Sequence, residues 1–107
     1  MFGKKETVLL DISLTLGEFD PYVDGAYRNV ETFLLDVKQG KKLFVHVESD
    51  KPVDIALSDS GGKCIKFKNS VVNDTVEIAI SKNEAITLFL GIFRGDKADI
   101  SVKVRMG

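Results

Sequence analysis

Among side chains able to do chemistry, the chain carries one histidine, His46, and one cysteine, Cys64. A nucleophilic dyad or triad needs a base beside its nucleophile, so any such arrangement has to use His46. In the strand expected over 42–48, His46 falls on the face opposite Leu43, Val45 and Val47, beside Phe44 and Glu48. That is the position of a solvent-facing or edge histidine. Cys64 stands between Lys63 and Lys66, cations that lower the pKa of an exposed thiol, but no base lies near it in sequence. With one cysteine there is no intrachain disulfide and no cysteine-based zinc site. The Gly-rich pieces Ser60–Lys63 and Gly91–Gly95 lack the strand-to-helix setting in which backbone amides cradle phosphate. The expectation is a non-enzymatic chain with no cofactor and no metal centre.

The segment 17–29, GEFDPYVDGAYRN, is the one irregular stretch dense enough to suggest a ligand. Glu18, Asp20 and Asp24 are hard oxygen donors of the kind Ca²⁺ takes, although the D-x-D-x-D-G spacing of an EF-hand is absent. Phe19, Tyr22 and Tyr27 offer apolar ring faces, two with polar tips, that suit stacking on a sugar. A carbohydrate- or Ca²⁺-binding module using Phe19, Asp20, Tyr22, Asp24 and Tyr27 is therefore the alternative functional reading. The plainer one has these aromatics fold back over the open end of the domain.

The elements that would position these residues are strands. Residues 6–16 alternate, with Val8, Leu10, Ile12, Leu14 and Leu16 on one side. Leu43, Val45 and Val47 repeat the pattern, as do Val53, Ile55 and Leu57, with Asp50-Lys51-Pro52 between the two runs. Ile65 and Phe67 mark a short strand and Val76, Ile78 and Ile80 another. Ile86, Leu88, Leu90 and Ile92 mark a longer one, and Ile100, Val102 and Val104 the last. Residues 26–39 fit a helical stripe or a strand; the tight turn Lys38-Gln39-Gly40-Lys41 favours a strand from about 31. The pattern predicts an all-β, two-sheet antiparallel β-sandwich, jelly-roll-like, of seven or eight strands, one domain over 1–107; strand order is open, since a meander and a Greek key share the same strand boundaries.

From residue 31 onward the order of features resembles the bacterial pre-peptidase C-terminal domain, and also the similar GOLD domains of trafficking proteins. The matching pieces are 32–37 (TFLLDV), 40–47 (GKKLFVHV), 53–59 with its Gly61-Gly62 turn, and a closing hairpin of 87–92 and 98–104. The resemblance implies a small β-sandwich without a shared catalytic constellation, so no site residue transfers with it. Ala85-Ile86 stands where a Gly-Tyr pair commonly opens the late strand in the pre-peptidase family.

Fifteen Lys and Arg against sixteen Asp and Glu leave a net charge of -1, which gives no long-range attraction for nucleic acid. No segment has the continuous apolar run of a signal peptide or membrane helix, so no membrane association is expected and, if the chain is complete, the cytoplasm is. The second face is unusually apolar. Leu9, Phe44, Ala79, Phe89 and Phe93 alternate against the core positions, and something must cover those phenylalanines. The functional expectation is an interaction module that meets a protein partner or a second copy through this face, with Phe44, Phe89 and Phe93 as contact residues.

Overall fold

The computed structural model describes residues 6–17, 22–24, 28–93 and 97–107. Every regular element there is a strand: β1 (Thr7–Leu16), β2 (Tyr22–Asp24), β3 (Arg28–Val37), β4 (Lys42–Ser58), β5 (Cys64–Ala79), β6 (Glu84–Phe93) and β7 (Ala98–Met106). No helix among the described residues is long and apolar enough to cross a membrane. The strands join in one antiparallel sheet of order β1-β7-β4-β6-β3-β2, with β5 attached to β4. Of the orders left open, this one is not a meander. Of consecutive strands only β2–β3 and β4–β5 are neighbours, and the proposed closing hairpin is no hairpin, because β6 pairs with β3 and β4 whereas β7 pairs with β1 and β4.

β4 organises the sheet. Its first arm, 42–49, lies between β7 and residues 73–79 of β5; its second arm, 53–58, lies between β6 and residues 64–71 of β5. The runs 42–48 and 53–58 are thus one strand of 17 residues, and the two short strands expected at 65–67 and 76–80 are one of 16. Pro52 does not end β4 because it falls where the β4–β5 register shifts, between Glu48 and Val53, and a bulge is where a strand tolerates a residue without an N–H. Leu43, Val45, Val47, Val53, Ile55 and Leu57 are all buried, so both arms of β4 turn the same face inward. They enter one core with Leu35 and Val37 of β3, Ile86, Leu88, Leu90 and Ile92 of β6, and Ile100, Val102 and Val104 of β7. The sheet is curled around that core.

The ambiguous segment is a strand, and it starts earlier than expected, at Arg28. Its turn forms as read: the Lys41 N–H donates to the Lys38 carbonyl at 3.3 Å, with Gly40 at φ +86° in the position a type II turn reserves for glycine. The turn carries the chain into a strand that β3 does not pair with. One core assignment is overturned. Val8 is 52% exposed and lies opposite Arg105, because a register shift between Val8 and Leu10 inserts Leu9 as an extra residue and reverses the facing of everything before it.

The β4–β5 connection is held by Asp59, whose Oδ1 accepts from the N–H groups of Gly61 and Lys63 at 3.0 and 2.9 Å, while Gly62 sits at φ +88°. A Cβ added at Gly62 meets nothing within 4 Å, so the cost of Gly62→Ala is purely conformational. We expect a loss of about 1–2 kcal/mol, visible as a lower denaturation midpoint at unchanged slope.

Candidate functional site

The two arms of the curled sheet present outward faces of opposite character. On the arm containing β1, β7 and the first arm of β4, the outward rows are Glu77–Phe44–Arg105–Val8, Thr75–His46–Lys103–Asp11 and Asn73–Glu48–Ser101–Ser13. These rows are tied together by polar contacts. Arg105 donates to both carboxylate oxygens of Glu6 at 2.8 and 2.9 Å, and its guanidinium lies over the Phe44 ring, 5.2 Å from the centroid. Lys42 and Glu77 approach to 3.3 Å. Thr15 donates to Asp99 at 2.7 Å, and the hydroxyls of Ser13 and Ser101 are 3.3 Å apart. His46 is held at both ring nitrogens, Nδ1 at 2.8 Å from the Thr75 hydroxyl and Nε2 at 3.1 Å from a Glu48 carboxylate oxygen. That is a cross-strand polar ladder, as the strand position of His46 suggested.

The other arm, formed by β3, β6, the second arm of β4 and the start of β5, is different. Its outward rows are Asp54–Gly91–Val30, then Phe67–Ala56–Phe89–Thr32, then Cys64–Ser58–Thr87–Leu34. Between Asp54 at one border and Asp36 at the other, these rows carry no charged side chain. Leu34 is 76% exposed and Phe67 55%, while Phe89, Ala56 and Val30 are half-buried beside them. The rows, which mix apolar and hydroxyl side chains, span roughly 19 by 20 Å, about 400 Å², the size of the largest patch on an ordinary monomer, which is often functional.

The structure therefore separates residues that the sequence reading grouped. Phe89 lies in the apolar face, Phe44 lies in the polar face under Arg105, and Phe93 is described through its backbone alone, opposite Arg28. Phe19, Asp20 and Tyr27 lie outside the described residues, as does Glu18, and Tyr22 and Asp24 enter only as the backbone of β2. The residues that sequence reasoning missed are Leu34 and Phe67. In the run Ile65-Lys66-Phe67-Lys68 the apolar positions mark a strand without fixing its facing; Phe67 pairs outward with Ala56, and Lys66 and Lys68 stand opposite the buried Leu57 and Ile55. Register shifts on both sides of the run set that facing. One places two steps of β5 against one of β4 at Leu57/Ser58, and the other precedes Val71. At the second, Ser70 takes φ 56°, rare for a residue with a Cβ, and its N–H is held by Asp54 at 3.1 Å. No hydrophobic pattern announces such an insertion.

Lys68 bonds to Asp74 across this bend. That ammonium, helped by the Thr75 N–H at 2.7 Å, holds the Asp74 carboxyl below the usual carboxylate range, and His46 adds a weaker pull in the same direction. Since the folded-state pKa is depressed, the contribution is full above the ordinary carboxylate range and disappears as pH falls through the folded pKa. Lys68→Met should move the Asp74 pKa up toward its ordinary value, which an NMR titration of the side-chain carboxyl carbon reads directly. An unchanged pKa would show that the Thr75 amide alone sets it.

Shallow concavities among the described residues accompany these faces. One, about 410 Å³, is lined by Ile65, Ile78, Ile80 and Ile86 with Lys82 and Glu84. Glu84 is already engaged, its Oε1 accepting from the Ser60 N–H and hydroxyl at 3.0 and 2.9 Å. A second, about 400 Å³, lies by Glu48, Asp50 and Asp99, where Asp50 accepts the Asp99 N–H at 2.8 Å. Among the described residues no group of three or more His, Cys, Asp or Glu side chains is placed to hold a metal ion.

No protein-family model matches this chain, and no curated protein matches it either. The resemblance to pre-peptidase C-terminal and GOLD domains thus rests on strand pattern alone. The functional reading has to come from the surface itself.

Proposed function

We propose that the protein is a non-catalytic interaction module whose apolar outer face, centred on Phe67, Phe89 and Leu34, docks against a second copy of the chain. The observation that carries this reading is the contrast between the arms: outward rows on one arm are crossed by ion pairs and hydrogen bonds, and those on the other are uncharged between Asp36 and Asp54. An uncharged face meets its own copy with no like-charge penalty, and a two-fold axis makes the match self-complementary. Two such faces bury about 800 Å² in all, below the standard interface, so the association is a weak one. A heterologous protein with an apolar face is the other occupant this surface would accept.

The same reading takes the curled sheet as two layers, a sandwich in which β4 and β5 each run through both. In its support, the two arms of β4 have different partners beyond β5 but turn one continuous face to one core, and the shortest extent of the molecule is 18 Å. Two sheets pack about 10 Å apart, which such a thickness accommodates.

Dilution of the ¹⁵N-labelled chain tests the docking face. Amide shifts that change with concentration should cluster on β3, β6 and residues 54–58. Changes centred instead on His46 and Lys103 would assign the contact to the polar arm and overturn the proposal.

A further inference from the structure

We infer that the first arm of β5, residues 64–68, is a docking edge for an extended segment of another protein in which acidic and apolar residues alternate. Among the described residues β5 pairs with β4 alone, so its other edge has no strand on it and is of the kind that accepts an added strand, with the Lys66 carbonyl accepting from the Cys64 thiol at 3.5 Å. All residues from 64 to 70 are exposed. The charge of this edge is one-sided. Lys63, Lys66 and Lys68 stand on or beside it; Lys68 is paired with Asp74, and among the described residues Lys63 and Lys66 are in no ion pair. The nearby Asp59 is occupied by the turn amides.

This pattern selects the occupant. A second copy aligned antiparallel on the same edge sets lysine against lysine, which is how natural sheets protect an edge from self-pairing. An acidic strand meets no such barrier, because opposite charges directly across two strands attract. The facing of side chains sharpens the requirement. Lys66 and Lys68 share one face of β5, and Phe67 lies on the other, in register with Ala56 and Phe89. An added strand therefore places carboxylates opposite Lys66 and Lys68 and an aliphatic side chain beside Phe67, where it lengthens the apolar row. The complementary code is acidic, apolar, acidic. Self-association through the outer face is a separate property, since it uses the face of the sheet and not its edge.

The full chain, kept reduced, is titrated with the peptide Ac-Thr-Val-Thr-Glu-Ile-Glu-Thr-Val-Thr-NH2 and with the same peptide carrying lysines in place of both glutamates, and binding is followed by amide shifts. The acidic peptide should bind at least tenfold more tightly, shift the amides of 64–68, and weaken as salt rises. Lys66→Glu, which leaves the Lys68–Asp74 pair intact, should cut that affinity about tenfold and improve binding of the lysine peptide. Phe89→Ser should weaken self-association and leave the charge preference in place. Equal binding of the two peptides, the absence of a saturable shift, or shifts away from β5 would overturn the inference.

Discussion

Leu57→Ala is expected to cost about 3–5 kcal/mol, the range for emptying a well-packed leucine site. Leu57 is completely buried, on the second arm of β4 opposite Leu88, which is also completely buried. β6 on one side is fixed by its further pairing with β3, and Leu57 is enclosed in the buried core, so the site has little room to collapse and the cavity remains. A domain of this size has about 5–15 kcal/mol of stability in total, and the substitution removes a large share of it. Leu34→Ala is the matched control. At 76% exposure its loss should lie within about 0.5 kcal/mol. Denaturant midpoints of the two variants separate them clearly, and a Leu57→Ala midpoint close to the unmodified protein would contradict the inward facing of the second arm.

The second large effect concerns association. Phe67 is 55% exposed in the monomer, and covering that fraction of a phenylalanine is worth roughly 1–1.5 kcal/mol. In a two-fold dimer the substitution is made twice, so Phe67→Ser should weaken self-association by roughly 2–3 kcal/mol, or about 30- to 160-fold in Kd. Leu34→Ser acts in the same way on the outer strand of the patch. Neither removes core packing, so monomer stability should hold within about 1 kcal/mol. Phe44→Ser serves as the control that sequence reading alone would not have chosen: its ring is covered by Arg105 on the polar arm, and its loss should leave association unchanged. Loss of folding and association together in Phe67→Ser would mark that ring as core and count against the docking face.

Much of the fold was legible because one face of each strand is buried, and burial imposes period two. The alternations over 43–47, 53–57, 86–92 and 100–104 all appear in the core, and so do Leu35 and Val37 from the ambiguous segment. Turn chemistry was legible at Gly40 and Gly62, where positive φ leaves glycine the favoured residue. What alternation cannot carry is an inserted residue. Leu9 reverses Val8, and the shifts flanking 65–69 turn Phe67 outward, because one extra residue exchanges the two faces without altering the composition of the run. Pro52 misled in the opposite sense, ending a strand on paper that a bulge lets continue. Neighbour relations across the sheet were equally hidden, since they depend on which strands meet after the curl. The candidate surface suffered from both effects. Phe89 was visible as an apolar residue on the wrong face for the core, while Leu34 and Phe67 became its companions only through register.

The central claim is that the uncharged outer face joins two copies of the chain. Its most direct test is absolute mass by light scattering from about 10 µM to about 1 mM, a range suited to a weak interface, at low and high salt. The account predicts a mass that rises from the 11.8 kDa of the monomer toward twice that value with concentration, and to the same extent at both salts. A mass that stays monomeric throughout, or an assembly that dissolves on adding salt, would contradict it.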